Sequence, residues 1–247
     1  MLFRKKSLVV LISAIAIAFP ACAQSDLTLW YNQPAANWNE ALPVGNGRLG
    51  AMVFGNAKEE FIQLNEETLW SGGPVNTNPN PQAHSYLAKI REALFKEDYE
   101  EAGKLTSKMQ GLFTESYEPL GDLFIKHHLE GVATNYYRDL DISNAISTTR
   151  FSVDGIEYVR EIFVSKPDDV IVIRLTSSQK NALNFTVAAT SQLYHENSKV
   201  SDDVIMMRGR APSHTDPSYL QTMEIPVVYG DPTNCRGMRF ELQEVGS

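Results

Sequence analysis

The sequence predicts a mainly β fold: two packed antiparallel sheets with a short helical insert at about residues 82–110. Three observations carry this. Eleven or twelve short apolar or alternating runs follow one another, separated by Gly, Asn, Asp and Pro. Asp154-Gly155 sits between two alternating runs, the strongest short-range hairpin signal. Apolar residues fall at helical spacing of three and four over one stretch only. That many strands exceeds one flat sheet, so two packed sheets are expected.

The chain begins with a segment outside the fold. Arg4, Lys5 and Lys6 precede the apolar run Leu8 to Phe19, and Ala21-Cys22-Ala23 offers a small-residue cleavage site. This is the layout of a signal peptide over residues 1–23. It predicts export to the periplasm or the exterior, with a lipid anchor on Cys22 as the lesser alternative. The run is short for a membrane span, and no other segment offers one. Removing the signal's three basic residues leaves 19 basic against 30 acidic side chains, a net charge of −11. Such a chain gains no counterion-release attraction to nucleic acid and is repelled by anionic lipid, so neither is expected as a partner. Cys235 is then the one remaining cysteine, too few for an internal disulfide and expected as a small buried side chain.

Leu27 to Trp70 reads as strands: LTLWY, LGAMVF and EEFIQL. Before the second run stand Gly45, Asn46 and Gly47, a turn by composition, followed by Arg48. Ser71 to Gln82 is a loop, because Asn78-Pro79 and Asn80-Pro81 resist regular structure. Tyr86, Leu87, Ile90 and Leu94 form one apolar stripe; Tyr99, Ala102, Leu105 and Met109 form a second. Lys96-Glu97-Asp98 turns between the two helices, and Gly111 ends the second. From Leu120 the pattern returns to strands: a meander through Asp154-Gly155, a turn at Lys166-Pro167-Asp168-Asp169, then DVIVIRLTS and LNFTVAAT. Further strands are read at Asp203 to Arg208, Ile225 to Tyr229 and Met238 to Gln243. The sequence stops just past a strand, which predicts that it continues in a longer protein.

The densest chemistry lies in QLNEETLWSGGP, where Asn65, Glu66 and Glu67 precede Trp70 and a glycine pair. Acids and amides bind sugar hydroxyls, and an indole face packs on a pyranose. The competing reading is two solvated surface acids and a core tryptophan. His127 and His128 are adjacent on a strand and so point to opposite faces, which suits no shared metal. His214 and Asp216 lie in a proline-bounded loop that could be functional or not. GNGRLG fits neither a P-loop nor a dinucleotide fingerprint, and neither GxSxG nor HExxH occurs. No metal or cofactor is called for.

Five ordered motifs carry a resemblance: LWYNQPAANWNEALPVGNGRLGAMVFG, QLNEETLWSGGP, YEPLGDLFI, YRDLDISNAI and GRAPSH. Together they are similar to the N-terminal domain of glycoside hydrolase family 95, the inverting α-L-fucosidases with some α-L-galactosidases. The resemblance implies a large antiparallel β-super-sandwich over residues 24–247, followed in such enzymes by an (α/α)6 barrel. It also implies that the family's general-acid glutamate and its water-activating asparagine–aspartate pair lie on that barrel, beyond Ser247. No catalytic residue is therefore expected in this chain. The expected substrate of the whole enzyme is a fucosylated oligosaccharide. The expected role of this part is to support the barrel and to lend loops to its rim, with Asn46, Arg48, Asn65, Glu66, Glu67 and Trp70 as contact candidates. A self-standing carbohydrate-binding sandwich, the N-domain of an α-L-galactosidase of the same family, and the N-domain of a related phosphorylase are the alternatives.

Overall fold

The computed structural model describes residues 27–73, 77–111, 115–216, 227–230 and 237–243. The expected signal segment, Cys22, Cys235 and the first two residues of the strand read at Ile225 to Tyr229 lie outside them.

Two five-stranded antiparallel sheets form the body. In the first the order is β1 (Thr28–Tyr31), β6 (Thr134–Asp141), β7 (Ile146–Val153), β8 (Ile156–Ser165), β9 (Val170–Ser177). In the second it is β10 (Phe185–Thr190), β5 (Gly121–His127), β4 (Glu59–Glu66), β3 (Leu49–Val53), β2 (Leu42–Gly45). A smaller sheet joins β11 (Tyr194–Lys199), β12 (Val204–Arg210) and β15 (Gly237–Gln243), and β13 (His214–Thr215) pairs with β14 (Val227–Val228). The expected mainly β sandwich is what forms. The described residues hold fifteen strands rather than eleven or twelve. The extra ones are short or polar, as in LPVG of β2 and YHENSK of β11, and give little periodicity to read.

Alternation aims each strand. In β5 Leu123, Ile125 and His127 face inward, and in β8 Tyr158, Arg160 and Ile162 do so. The core between the sheets packs Leu42, Val44, Val53, Ile62, Leu123 and Ile125 against Leu140 and Ile162. Asp154 at φ 52° and Gly155 at φ 81° make the hairpin that the sequence predicts.

Part of the interior is polar and largely paired from within, although among the described residues Arg160 Nε and Nη1, His127 Nδ1 and Ser147 Oγ are buried with no hydrogen-bond partner. Glu60 is fully buried, pairs with Arg160, and accepts the backbone N–H groups of Gly55 (2.8 Å) and Phe61 (3.1 Å). Arg138 is buried too. Its Nε donates to the Gln33 carbonyl (2.8 Å), its Nη1 donates to the Glu40 carbonyl (2.9 Å), and its guanidinium lies 4.4 Å from the Tyr31 ring centroid. It thereby ties the segment after β1 to the first sheet.

The helical insert is α1 (Leu87–Phe95) and α2 (Tyr99–Ser107), with Asp98 capping the second through Glu101 N (3.0 Å). Ile90, Ala93, Ala102 and Leu105 are buried. Leu87, Leu94 and Tyr99 from the expected stripes stay exposed, because two nine-residue helices cover mainly each other.

Candidate functional site

The nominated residues come together at one end of the sandwich. The β2–β3 turn, the end of β4 and the β8–β9 turn all lie there. Gly47 alone among the turn's residues takes a left-handed conformation, at φ 93°. Asn46 acts through its side chain instead. Its Oδ1 accepts from Arg48 N (2.9 Å) and Leu49 N (2.8 Å), which closes the turn. Its Nδ2 donates to the Ser165 carbonyl (2.9 Å) and to Asp169 Oδ1 (3.0 Å). One carboxamide thus fastens the second sheet to the first.

Arg48 reinforces the same join. Its Nε donates to Glu66 Oε1 (3.0 Å) and its Nη1 to Asp169 Oδ2 (2.6 Å). Asp169 presents that carboxylate from φ 54°, a strained turn position. The Glu66 carboxylate receives Thr68 N (2.9 Å) and Thr68 Oγ1 (2.7 Å) on its other oxygen. Burial opposes its charge and is the largest single influence; the Thr68 and Arg48 hydrogen bonds together outweigh it and hold the carboxyl below its ordinary range. Glu66 is therefore ionised near neutrality and is poorly suited to donate a proton to a leaving group. Its charge is used in structure.

The competing reading of this stretch holds for Glu67, an exposed acid, but Glu66 is buried and Trp70 is 47% exposed. Trp70 is held in place from two sides. Its indole Nε1 donates to the Glu67 carbonyl (3.0 Å), and its ring meets Tyr117 edge-on at 5.2 Å between centroids. Tyr117 is itself exposed, with its hydroxyl against Asn65 Oδ1 and the Glu66 carbonyl (3.1 Å). Glu67 is exposed, and its backbone N–H donates to the Arg48 carbonyl (3.0 Å). The arrangement is a rigid polar base carrying two exposed aromatic rings and one free-standing acid. It can pack against and hydrogen-bond a neighbour.

All six nominated residues belong to this one cluster. Sequence reading missed Thr68, Asp169 and Tyr117, although each stands inside a stretch that it singled out: QLNEETLWSGGP, the Lys166–Asp169 turn and YEPLGDLFI. A second group adjoins the loop. Ser71 Oγ donates to Glu115 Oε2 (2.8 Å), His214 Nε2 lies 2.8 Å from Asp216 Oδ1, and Thr215 Oγ1 donates to Glu118 Oε1 (2.7 Å). The Asp216 hydrogen bond chiefly, with Glu115 near, raises the His214 pKa above its ordinary value. The two adjacent histidines do face opposite ways: His127 is buried and His128 exposed. Burial, then the Arg160 charge, lowers the His127 pKa to about 4. Among the described residues no three His, Cys, Asp or Glu side chains are grouped to hold a metal.

Residues 29–243 match the family described as glycosyl hydrolase family 65, N-terminal domain. The chain is 34% identical over 187 residues to alpha-L-fucosidase 2 of Arabidopsis thaliana, covering 74% of this chain and 22% of that protein. It is 34% identical over 173 residues to a protein named "Probable alpha-fucosidase A" from Aspergillus niger, covering 66% and 21%. A protein of the same name from Aspergillus oryzae is 32% identical over 162 residues, covering 61% and 22%. The chain thus spans about a fifth of the length of these curated relatives. It belongs to the glycosyl hydrolase family 65 N-terminal domain family and resembles the N-terminal domain of α-L-fucosidase-type enzymes.

Proposed function

We propose that this chain is the supporting β-sandwich of an exported, inverting α-L-fucosidase-type hydrolase that acts on fucosylated glycans. Its Arg48–Trp70 end packs against the catalytic domain and helps to line the rim of the pocket. One observation carries the reading. Among the described residues, the cluster that the sequence marks as densest in sugar-like chemistry uses its central acid, Glu66, to hold Arg48, which bridges to Asp169 on the other sheet, and leaves Trp70, Tyr117 and Glu67 facing outward. That is a built docking edge rather than a pair of opposed acid and base groups, which inverting hydrolysis requires on either side of a sugar. The α-fucosidase names of the relatives, and the small share of their length that is matched, support the substrate class and the role of one part within a larger enzyme.

The test is hydrolysis of nitrophenyl α-L-fucoside. The purified 247-residue chain should release no nitrophenol, whereas the complete enzyme carrying it should. Turnover by the chain alone, abolished by a substitution at one of its own acids, would overturn the assignment of catalysis to another domain.

A further inference from the structure

The outer face of the first sheet holds a second arrangement of aromatic and polar side chains, separate from the Arg48–Trp70 end. Trp30 of β1 is 63% exposed. In register it lies opposite Asp139, so Tyr137, two residues earlier on β6, is its diagonal neighbour on the same face. The two rings are nearly parallel, 17° apart, with centroids 6.3 Å apart. Arg150 of β7 lies directly opposite Tyr137, and Glu157 of β8 lies opposite Ser152. Tyr137, Arg150, Ser152 and Glu157 line a surface concavity together with Asn135, with buried Phe151 at its floor.

Two features set this concavity apart from ordinary sheet surface. The β6–β7 register shifts between Thr134 and Tyr137, and Asn135 sits there at φ 51°. A bulge of this kind re-aims the side chains beside it and is over-represented near binding sites. The charges also behave unlike those of the Arg48 cluster. There, the guanidinium and two carboxylates satisfy one another. Here, the side chains of Arg150, Glu157 and Asn135 enter no hydrogen bond or ion pair with the described residues.

We propose that this face is a binding subsite for a neutral pyranose of a glycan. The exposed Trp30 ring, backed by the nearly parallel half-buried Tyr137 ring, offers an apolar surface to the C–H face of a sugar. A guanidinium supplies a fork of donors to vicinal hydroxyls, a carboxylate accepts from two more, and a carboxamide does both. Arg150 faces two acids here, Glu157 and Asp139, so the face carries no positive excess, and the whole chain at −8 repels polyanions. A neutral carbohydrate therefore fits better than an anionic one. The inference rests on the glycan-directed reading above and adds a contact remote from the reaction, one that would hold a polymeric or branched substrate.

The experiment is saturation-transfer NMR and titration calorimetry on the full chain with the neutral trisaccharide 2′-fucosyllactose and, for comparison, a heparin-derived tetrasaccharide. Wild type should bind the neutral sugar. Trp30→Ala and Arg150→Ala should each weaken binding at least tenfold, while Phe95→Ala, on the helical insert and 88% exposed, stays within twofold. All three side chains are exposed, and matching circular dichroism spectra confirm the fold. No binding, binding unmoved by both Trp30→Ala and Arg150→Ala, or preference for the anionic sugar overturns the inference. Binding is read without turnover, so an inactive chain leaves it standing. An active enzyme with no Trp30-dependent binding overturns it alone.

Discussion

Asn46→Ala tests how the two sheets are joined. The substitution removes four hydrogen bonds: two donated by Nδ2 to Ser165 and Asp169, and two accepted by Oδ1 from Arg48 N and Leu49 N. An intramolecular hydrogen bond contributes about 0.5–1.5 kcal/mol net, with the low end for exposed partners. The bonds to Arg48 N and Asp169 fall toward that low end, since the Arg48 amide is exposed and Asp169 keeps its Arg48 contact. The Ser165 carbonyl and Leu49 N–H are part-buried and lose a partner. Together the loss comes to about 2–3 kcal/mol. For a chain of this size that lowers Tm by roughly 4–12 °C. Asn46→Asp separates the two halves of the role. It keeps the acceptor that closes the turn, loses both cross-sheet donors, and sets a second carboxylate beside Asp169. It should destabilise at least as much as the alanine variant near neutral pH and recover part of the loss in acid. Urea unfolding followed by tryptophan fluorescence measures both. A change below about 0.5 kcal/mol for Asn46→Ala, within the usual surface range, would refute the claim that this side chain fastens the sandwich.

Gly47→Ala should cost about 1 kcal/mol in the same assay: φ 93° disfavours any side chain, although the added methyl meets no atom within 4 Å. Breaking the buried pair with Arg160→Met should cost about 3–5 kcal/mol, because it strands the Glu60 charge, and the double variant with Glu60→Leu should regain much of the loss. Because burial and Arg160 hold His127 down at about 4, its contribution to stability is complete above about pH 6.5. It is lost as pH falls toward 4, with a slope of at most about 1.4 kcal/mol per pH unit. His127→Phe should flatten that part of the stability–pH curve.

The sandwich was readable where strands alternate and turns use special residues. Leu123, Ile125 and Ile162 are recognisable as core, and Asp154-Gly155 as a hairpin, from local pattern alone. β2 and β11 were not, since LPVG and YHENSK lack periodicity and owe their conformation to their partners. The polar interior was hidden for a related reason. Glu60, Arg138 and Arg160 occupy inward positions that a pattern reader assigns to solvent, and only the assembled sheets supply their partners. In the candidate site, the motif residues were legible as a group. Their mutual roles were not, because Asp169 lies 121 residues from Arg48 and Tyr117 lies 52 from Asn65. Trp30 illustrates the same limit: its ring partner is no other tryptophan but Tyr137, on a strand far away in sequence.

The proposed role of the Arg48–Trp70 end is contact with the catalytic domain. Its most direct test is kcat/KM for nitrophenyl α-L-fucoside in the complete enzyme carrying Trp70→Ala. Trp70 is half exposed in this domain, so the domain's own stability should change by less than about 1 kcal/mol. Loss of the Trp70 ring should lower kcat/KM at least tenfold, about 1.4 kcal/mol of lost interaction, with the isolated domain's unfolding midpoint unchanged. An unchanged kcat/KM in a normally folded enzyme would contradict that role.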